Sequence, residues 1–233
     1  MDELTDIFSK CGVSNNYWNL IRTKKKTIIE FSKINNKMLS IIILINNEYD
    51  IMERCYFEIL STAKKFPPAK NENKFVYGKL IEKALINAFI KCGFNCIDLD
   101  SQHTVGSEYK NDIRMLNMDI SIKALKNKGS SIVLINKNGK KTHTVDNIQM
   151  ILCIINEGKL YFIPNNLINN DIYVNDSDSQ ISYRSKLITM FENKYEKYIY
   201  NFPKLSKEYQ DKLELITEIN IYDKLYKEEI VSL

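Results

Sequence analysis

Glycine and proline are scarce in this chain of 233 residues, at 7 and 4. That excludes collagen-like, repeat-rich and low-complexity architectures. Histidine occurs only twice, at His103 and His143. Each sits alone in a polar segment, with no second ligand at metal-binding spacing. The five cysteines form no CxxC pair, and Cys92 and Cys96 make a CxxxC in a chain with only those two histidines. A structural zinc site is therefore not expected, and the thiols read as reduced, small hydrophobic side chains. No window approaches the roughly 18 consecutive apolar residues of a membrane helix. The opening MDELTDIF is acidic and lacks the basic-then-apolar order of a signal peptide, so a cytoplasmic location without a membrane partner is expected. Neither a GxxxxGK[ST] phosphate loop nor a GxSxG elbow is present.

The apolar content, 44%, is enough for one well-packed domain or a core with an added subdomain. The net charge of +4 is unevenly spread. Residues 1–73 carry +2, residues 74–170 carry +5 and residues 171–233 carry −3. The middle segment thus has the surplus that suits a polyanionic partner.

Three regions follow from the patterning. Residues 1–73 read as a helical N-terminal region for DNA binding or dimerisation. A short helix ends at Gly12, apolar residues recur from Trp18 to Ile34, and Met38–Ile45 is a buried element of either type. Phe66–Lys74, with two prolines, reads as a linker. Residues 74–170 read as the core. A helix over 75–92, with Leu80, Ile81, Ala84, Leu85, Ala88 and Phe89 on one face, is capped by Gly93. Strands are expected at 95–99, 109–116, 119–125 and 131–136, with turns at Asn117-Met118 and Asn138-Gly139. A hairpin over 148–155 and 159–164 closes at Glu157-Gly158, although 145–155 also fits a short helix. Residues 171–233 read as a polar loop to Gln180, then helices over 185–200 and 205–225.

The chemistry concentrates in Glu108–Asn136. The first strand there carries Asp112. The second alternates, so Asp119, Ser121 and Lys123 share one face. A carboxylate facing a lysine across adjacent strands suits phosphodiester hydrolysis with a hard divalent metal. The acid holds the ion, and the lysine orients or activates the attacking water.

These residues resemble the PD-(D/E)xK nuclease superfamily, and among its members type II restriction endonucleases. The resemblance covers residues 78–164. Tyr109-Lys110-Asn111-Asp112-Ile113 resembles the first motif, with Asn111 in place of the proline and Asp112 as the metal-binding acid. Ser121-Ile122-Lys123 resembles the second, and Glu82 matches the acid on the first core helix. The sequence departs from the family at Ser121, where Asp or Glu is usual. Asp119, two residues earlier on the same face, or Glu82 would then supply the missing carboxylate. The resemblance implies an α/β (α+β) fold, with a restriction-endonuclease-like central mixed sheet flanked by helices and helical additions at both ends. It implies a Mg²⁺-dependent, sequence-specific double-stranded DNA endonuclease, with Mn²⁺ able to substitute. Asp112, Asp119 and Glu82 would hold metal, Ser121 a metal-bound water, and Lys123 the nucleophile. A homodimer would cut both strands of a palindrome.

Further DNA contacts are expected from Lys24, Lys25 and Lys26, from Lys110, and from Tyr183, Arg184 and Lys186 after the polar loop. Two alternatives stay open. One is a catalytically silent DNA-binding or defence module on the same fold, motivated by Ser121. The other is a structure-specific repair nuclease.

Overall fold

The computed structural model describes residues 36–66, 71–99, 112–136, 149–168, 170–178 and 180–231. Met38–Ile45 resolves as helix: α1 spans Lys37–Ile45 and α2 spans Tyr49–Lys65. Asn36 starts α1 by accepting the Leu39 N–H. α3, Asn71–Lys91, is the helix expected over 75–92, begun a turn earlier. It stops because Gly93 adopts φ 94°, which lets the Phe94 N–H reach back to Phe89 O at 3.0 Å.

Six strands build a mixed sheet. They are β1 (Ile97–Asp98), β2 (Ile113–Met115), β3 (Met118–Leu125), β5 (Gln149–Ile154), β6 (Lys159–Ile163) and β9 (Ile199–Asn201), in the order β1-β2-β3-β5-β6-β9. All neighbours are antiparallel except β3 and β5. The parallel pair needs a long crossover, and residues 126–148 provide it. Within that crossover lies β4 (Ile132–Asn136), the strand expected over 131–136. It leaves for a second sheet, pairing antiparallel with β8 (Gln180–Tyr183), which pairs with β7 (Val174–Asp176). The stretch from Pro164 to Gln180 is accordingly not a plain loop. It holds a short helix, α4 (Asn170–Tyr173), and strand β7.

The β5–β6 hairpin closes through a tight turn over Ile155–Glu157, with Gly158 at φ 61°. The strand reading of 148–155 is therefore the observed one from Gln149 onward. After β8, α5 (Lys186–Lys194) ends well before the expected residue 200, and Ile199–Asn201 joins the main sheet as its edge. The C-terminal region is thus not wholly helical. α6, Lys207–Val231, closes the chain. Its N-terminus docks on α2, where buried Glu53 accepts the Ser206 N–H at 2.5 Å and sets a negative charge against the helix dipole.

One continuous core runs through these elements. Met38, Ile41, Met52 and Ile59 from the first helices join Ile81, Leu85 and Phe89 of α3, the whole of β5 from Met150 and β6 from Leu160. α3 packs on β3. The fold is a mixed α/β architecture with a central mixed sheet flanked by helices. No helix among the described residues is long and apolar enough to cross a membrane. Cys55, Cys92 and Cys153 are buried thiols that form no disulfide. Burial pushes Cys153 up to about 12, which suits their use as hydrophobes.

Candidate active site at the β2–β3 hairpin

The hairpin turns at Leu116-Asn117, one residue before the expected turn, with φ of 51° and 57° at the two positions. Two successive positive φ values define the two-residue turn whose twist matches that of the strands. Asparagine tolerates that region, whereas leucine is unusual there. Lys37 at the start of α1 donates to Leu116 O at 3.1 Å and ties the tip to the N-terminal helix.

This turn sets the register Ile113↔Ile120, Arg114↔Asp119 and Met115↔Met118. Met118, Ile120 and Ile122 go into the core, and Ile113 and Met115 join them. The other face of β3 carries Asp119, Ser121 and Lys123, as the alternation predicts.

Asp112 stands where the β2–β3 ladder ends. Its N–H donates to Ile120 O at 2.9 Å, and its C=O accepts the Leu99 N–H at 3.0 Å. The next rung is taken by its side chain: Oδ2 accepts the Ile122 N–H at 2.5 Å and the Ser121 hydroxyl at 3.1 Å. Lys123 Nζ approaches the same Oδ2 at 3.9 Å. The acid is 16% exposed and the lysine 28%, so both are set in the surface yet reachable. Three of the expected residues, Asp112, Ser121 and Lys123, therefore meet at one oxygen. Ser121 is itself buried at 1% exposure, and its hydroxyl is fixed by the acid it touches.

Asp119 is placed differently. Both its oxygens are engaged by Arg114, Nε to Oδ1 at 2.5 Å and Nη2 to Oδ2 at 2.9 Å. The Arg114 hydrogen bond holds the Asp119 carboxyl below its ordinary value. A metal at Asp119 would have to displace a bidentate guanidinium. Glu82 lies on α3, mostly buried, with Lys79 Nζ 3.6 Å from Oε2. Among the described residues no three His, Cys, Asp or Glu side chains gather into a metal-binding group. Arg114 was not anticipated at all. The signal for it was the β2 alternation itself, in which Ile113 and Met115 point inward and Arg114 outward.

The expected DNA contacts fare unequally. Lys24, Lys25, Lys26 and Lys110 lie outside the described residues, as do His103, His143 and the Asn138-Gly139 turn. Tyr183 is fully buried on β8, so its ring is a core side chain and is not presented for base contact. The inward pointing follows from β8 being a strand, where a helix start was expected. Arg184 and Lys186 are exposed, and the Lys186 ammonium lies 5.6 Å from the centre of the Tyr173 ring.

A second polar cluster lies beyond the far end of β3. Glu192 of α5 accepts from Lys128 at 2.7 Å, from the Tyr161 hydroxyl at 2.9 Å and from Lys159 at 3.4 Å. Glu157 pairs with the same two lysines at 3.3 and 3.5 Å. This network clamps α5 to the sheet.

No family model matches the chain, and no curated protein matches it. A solved structure described as a restriction endonuclease in complex with substrate DNA is similar in fold. Its TM-score is 0.49 and its identity 16%, over 72% of this chain and 93% of that one.

Proposed function

We propose that this protein is a metal-dependent DNA endonuclease acting at the Asp112 face, of the sequence-specific type II kind. The observation that carries the reading is the convergence of Lys123 Nζ and the Ser121 hydroxyl on one carboxylate oxygen, at 3.9 and 3.1 Å. The donor set fits Mg²⁺. That ion commonly binds through one or two carboxylates, keeps several waters and takes substrate phosphate oxygens as further ligands. Asp112 is the carboxylate, and Ser121 adds a hard oxygen beside it. Bound there, Mg²⁺ supplies Lewis-acid polarisation of the phosphate and a more acidic water, and Mn²⁺ would substitute.

The chain's own residues do the rest. Asp112 is locked by the Ile122 N–H and the Ser121 hydroxyl, so its orientation costs no reorganisation. Lys123 orients the water that attacks phosphorus and offsets negative charge as it builds on the phosphate. Glu82 is the second acid nearest in role, because Asp119 is occupied by Arg114. The basic surplus of residues 74–170 favours duplex approach.

Incubation with plasmid and long natural DNA, with and without Mg²⁺, tests the proposal. Discrete fragments that require the metal and vanish in Asp112→Ala and Lys123→Ala are expected. A metal-dependent smear points to a structure-specific nuclease instead. The presence of Ser121 where the resembled family has an acid favours one other reading, a silent DNA-binding module. Salt-dependent binding with no cutting under Mg²⁺ or Mn²⁺ would establish it.

A further inference from the structure

Arg114 and Asp119 form a bidentate pair on the same hairpin face as Asp112, Ser121 and Lys123. Arg114 lies two residues along β2 from Asp112, about 7 Å at the rise of a strand. Its side chain is 46% exposed and that of Asp119 is 32% exposed, so the pair faces solvent beside the catalytic acid. We propose that Arg114 contacts a backbone phosphate of the substrate duplex, and that Asp119 is the carboxylate that positions it.

The chemistry fits both halves. A guanidinium carries its N–H groups in a rigid fork, and the Asp119 carboxylate fixes that plane through Nε and Nη2. Held by both oxygens, its plane cannot swing, so less freedom is lost when a phosphate is bound. Arginine is the side chain whose geometry matches phosphate oxygens two at a time. The pair is neutral in sum, so Arg114 acts through directed N–H groups at short range and not through a long-range field. Asp119 is then a positioning residue and holds no metal.

This inference rests on the nuclease reading of the same face, and its test separates the two. Binding of a short duplex is measured without divalent ions over a range of salt concentrations, so cleavage plays no part. Arg114→Ala is expected to weaken binding about tenfold at low salt and to lower the slope of log affinity against log salt by about one. Arg114→Gln keeps a hydrogen bond to Asp119 but no charge, and is expected to show the same loss. Asp119→Asn keeps the Arg114 charge but lets its plane swing, so it is expected to weaken binding less than Arg114→Ala does and to leave the slope unchanged. A purely structural salt bridge would make both partners' variants behave alike. Equal weakening by Arg114→Ala and Asp119→Asn, or an unchanged slope in both Arg114 variants, overturns the proposal. A wild type that binds but never cuts refutes the nuclease reading and leaves this one standing. A wild type that cuts while the Arg114 variants keep the full slope refutes this one alone.

Discussion

Replacing Ser121 with aspartate tests whether the Asp112 face is a cation site. Ser121 is buried, and its hydroxyl donates to Asp112 Oδ2 at 3.1 Å. The substitution removes that hydrogen bond, worth about 1 kcal/mol. It also sets a second carboxylate against the first. Two like charges about 4 Å apart repel by roughly 4 kcal/mol at an effective dielectric near 20. Lys123, 3.9 Å from Asp112, takes back part of this, and protonation of one acid takes back more. A net loss of about 2–4 kcal/mol is expected without divalent ions, a large share of a typical domain's stability. A cation bridging the two carboxylates cancels the repulsion, so millimolar Mg²⁺ should restore most of it. Urea unfolding of wild type and Ser121→Asp, each with EDTA and with Mg²⁺, reads this out. The wild type should change little between the two conditions and the variant strongly. If Ser121→Asp is no more Mg²⁺-sensitive than wild type, the face does not take a divalent ion and the metal reading fails.

Other outcomes follow from the same geometry. Asp112→Asn keeps an acceptor for the Ile122 N–H and the Ser121 hydroxyl, so unfolding should shift by only about 1 kcal/mol. Plasmid cleavage by Asp112→Asn and by Lys123→Ala should each fall by at least about 100-fold; retained cutting in either removes that residue from the site. Glu192 is pushed up by burial, but hydrogen bonds from Lys128, Tyr161 and Lys159 outweigh this and leave its carboxyl below the ordinary glutamate value. The unfolded chain then binds more protons between the folded and the ordinary value, so the clamp's contribution is full above the ordinary value and fades as pH falls through the folded one. Glu192→Gln should lower the urea midpoint at neutral pH and flatten its acid decline; an unaltered acid limb contradicts the linkage. Gly158→Ala should destabilise by about 2–4 kcal/mol, combining a left-handed φ with the crowding of Tyr56. A Cβ there would sit 2.9 Å from the Tyr56 hydroxyl, which donates to Ile155 O and whose ring stacks on Phe202. Thermal unfolding measures it, and a neutral result would mean that Tyr56 swings away at no cost.

The parts of the fold visible in the sequence are those whose signal is local. α3 shows because its apolar stripe and Gly93 cap lie within one run of chain. The β5–β6 hairpin shows because Gly158 marks its turn. What stayed hidden depends on partners far away in the chain. β4 reads as a strand, but nothing within Ile132–Asn136 says that it pairs with Gln180–Tyr183 instead of β3. Residues 199–201 continue the polar–aromatic pattern of α5, and only the open edge of β6 makes them a strand. Met38–Ile45 is apolar apart from Ser40, so periodicity could not choose; burial against the core made it a helix.

The site was legible in its faces and not in its pairing. Moving the turn from Asn117-Met118 to Leu116-Asn117 slides β2 along β3 by two residues. Because side chains alternate with a period of two, such a slide leaves every residue on its expected face and changes each partner. With the expected turn, Arg114 would have faced Ser121, and Asp112 would have faced Lys123. The observed register gives Asp119 to Arg114, so the carboxylate that looked available to replace the missing acid is already engaged. It also carries Asp112 past the last paired rung, where its side chain closes the ladder on the Ile122 N–H while Lys123 comes in diagonally. Under the proposed nuclease reading a second metal-binding acid would come from outside the hairpin, and Glu82 on α3 is the candidate left. Glu82→Gln paired with Asp119→Asn separates the two: the midpoint of the Mg²⁺ dependence of cleavage should rise at least tenfold for the first and stay within about threefold for the second. The reverse order would return Asp119 to the metal and take Arg114 out of the role proposed for it.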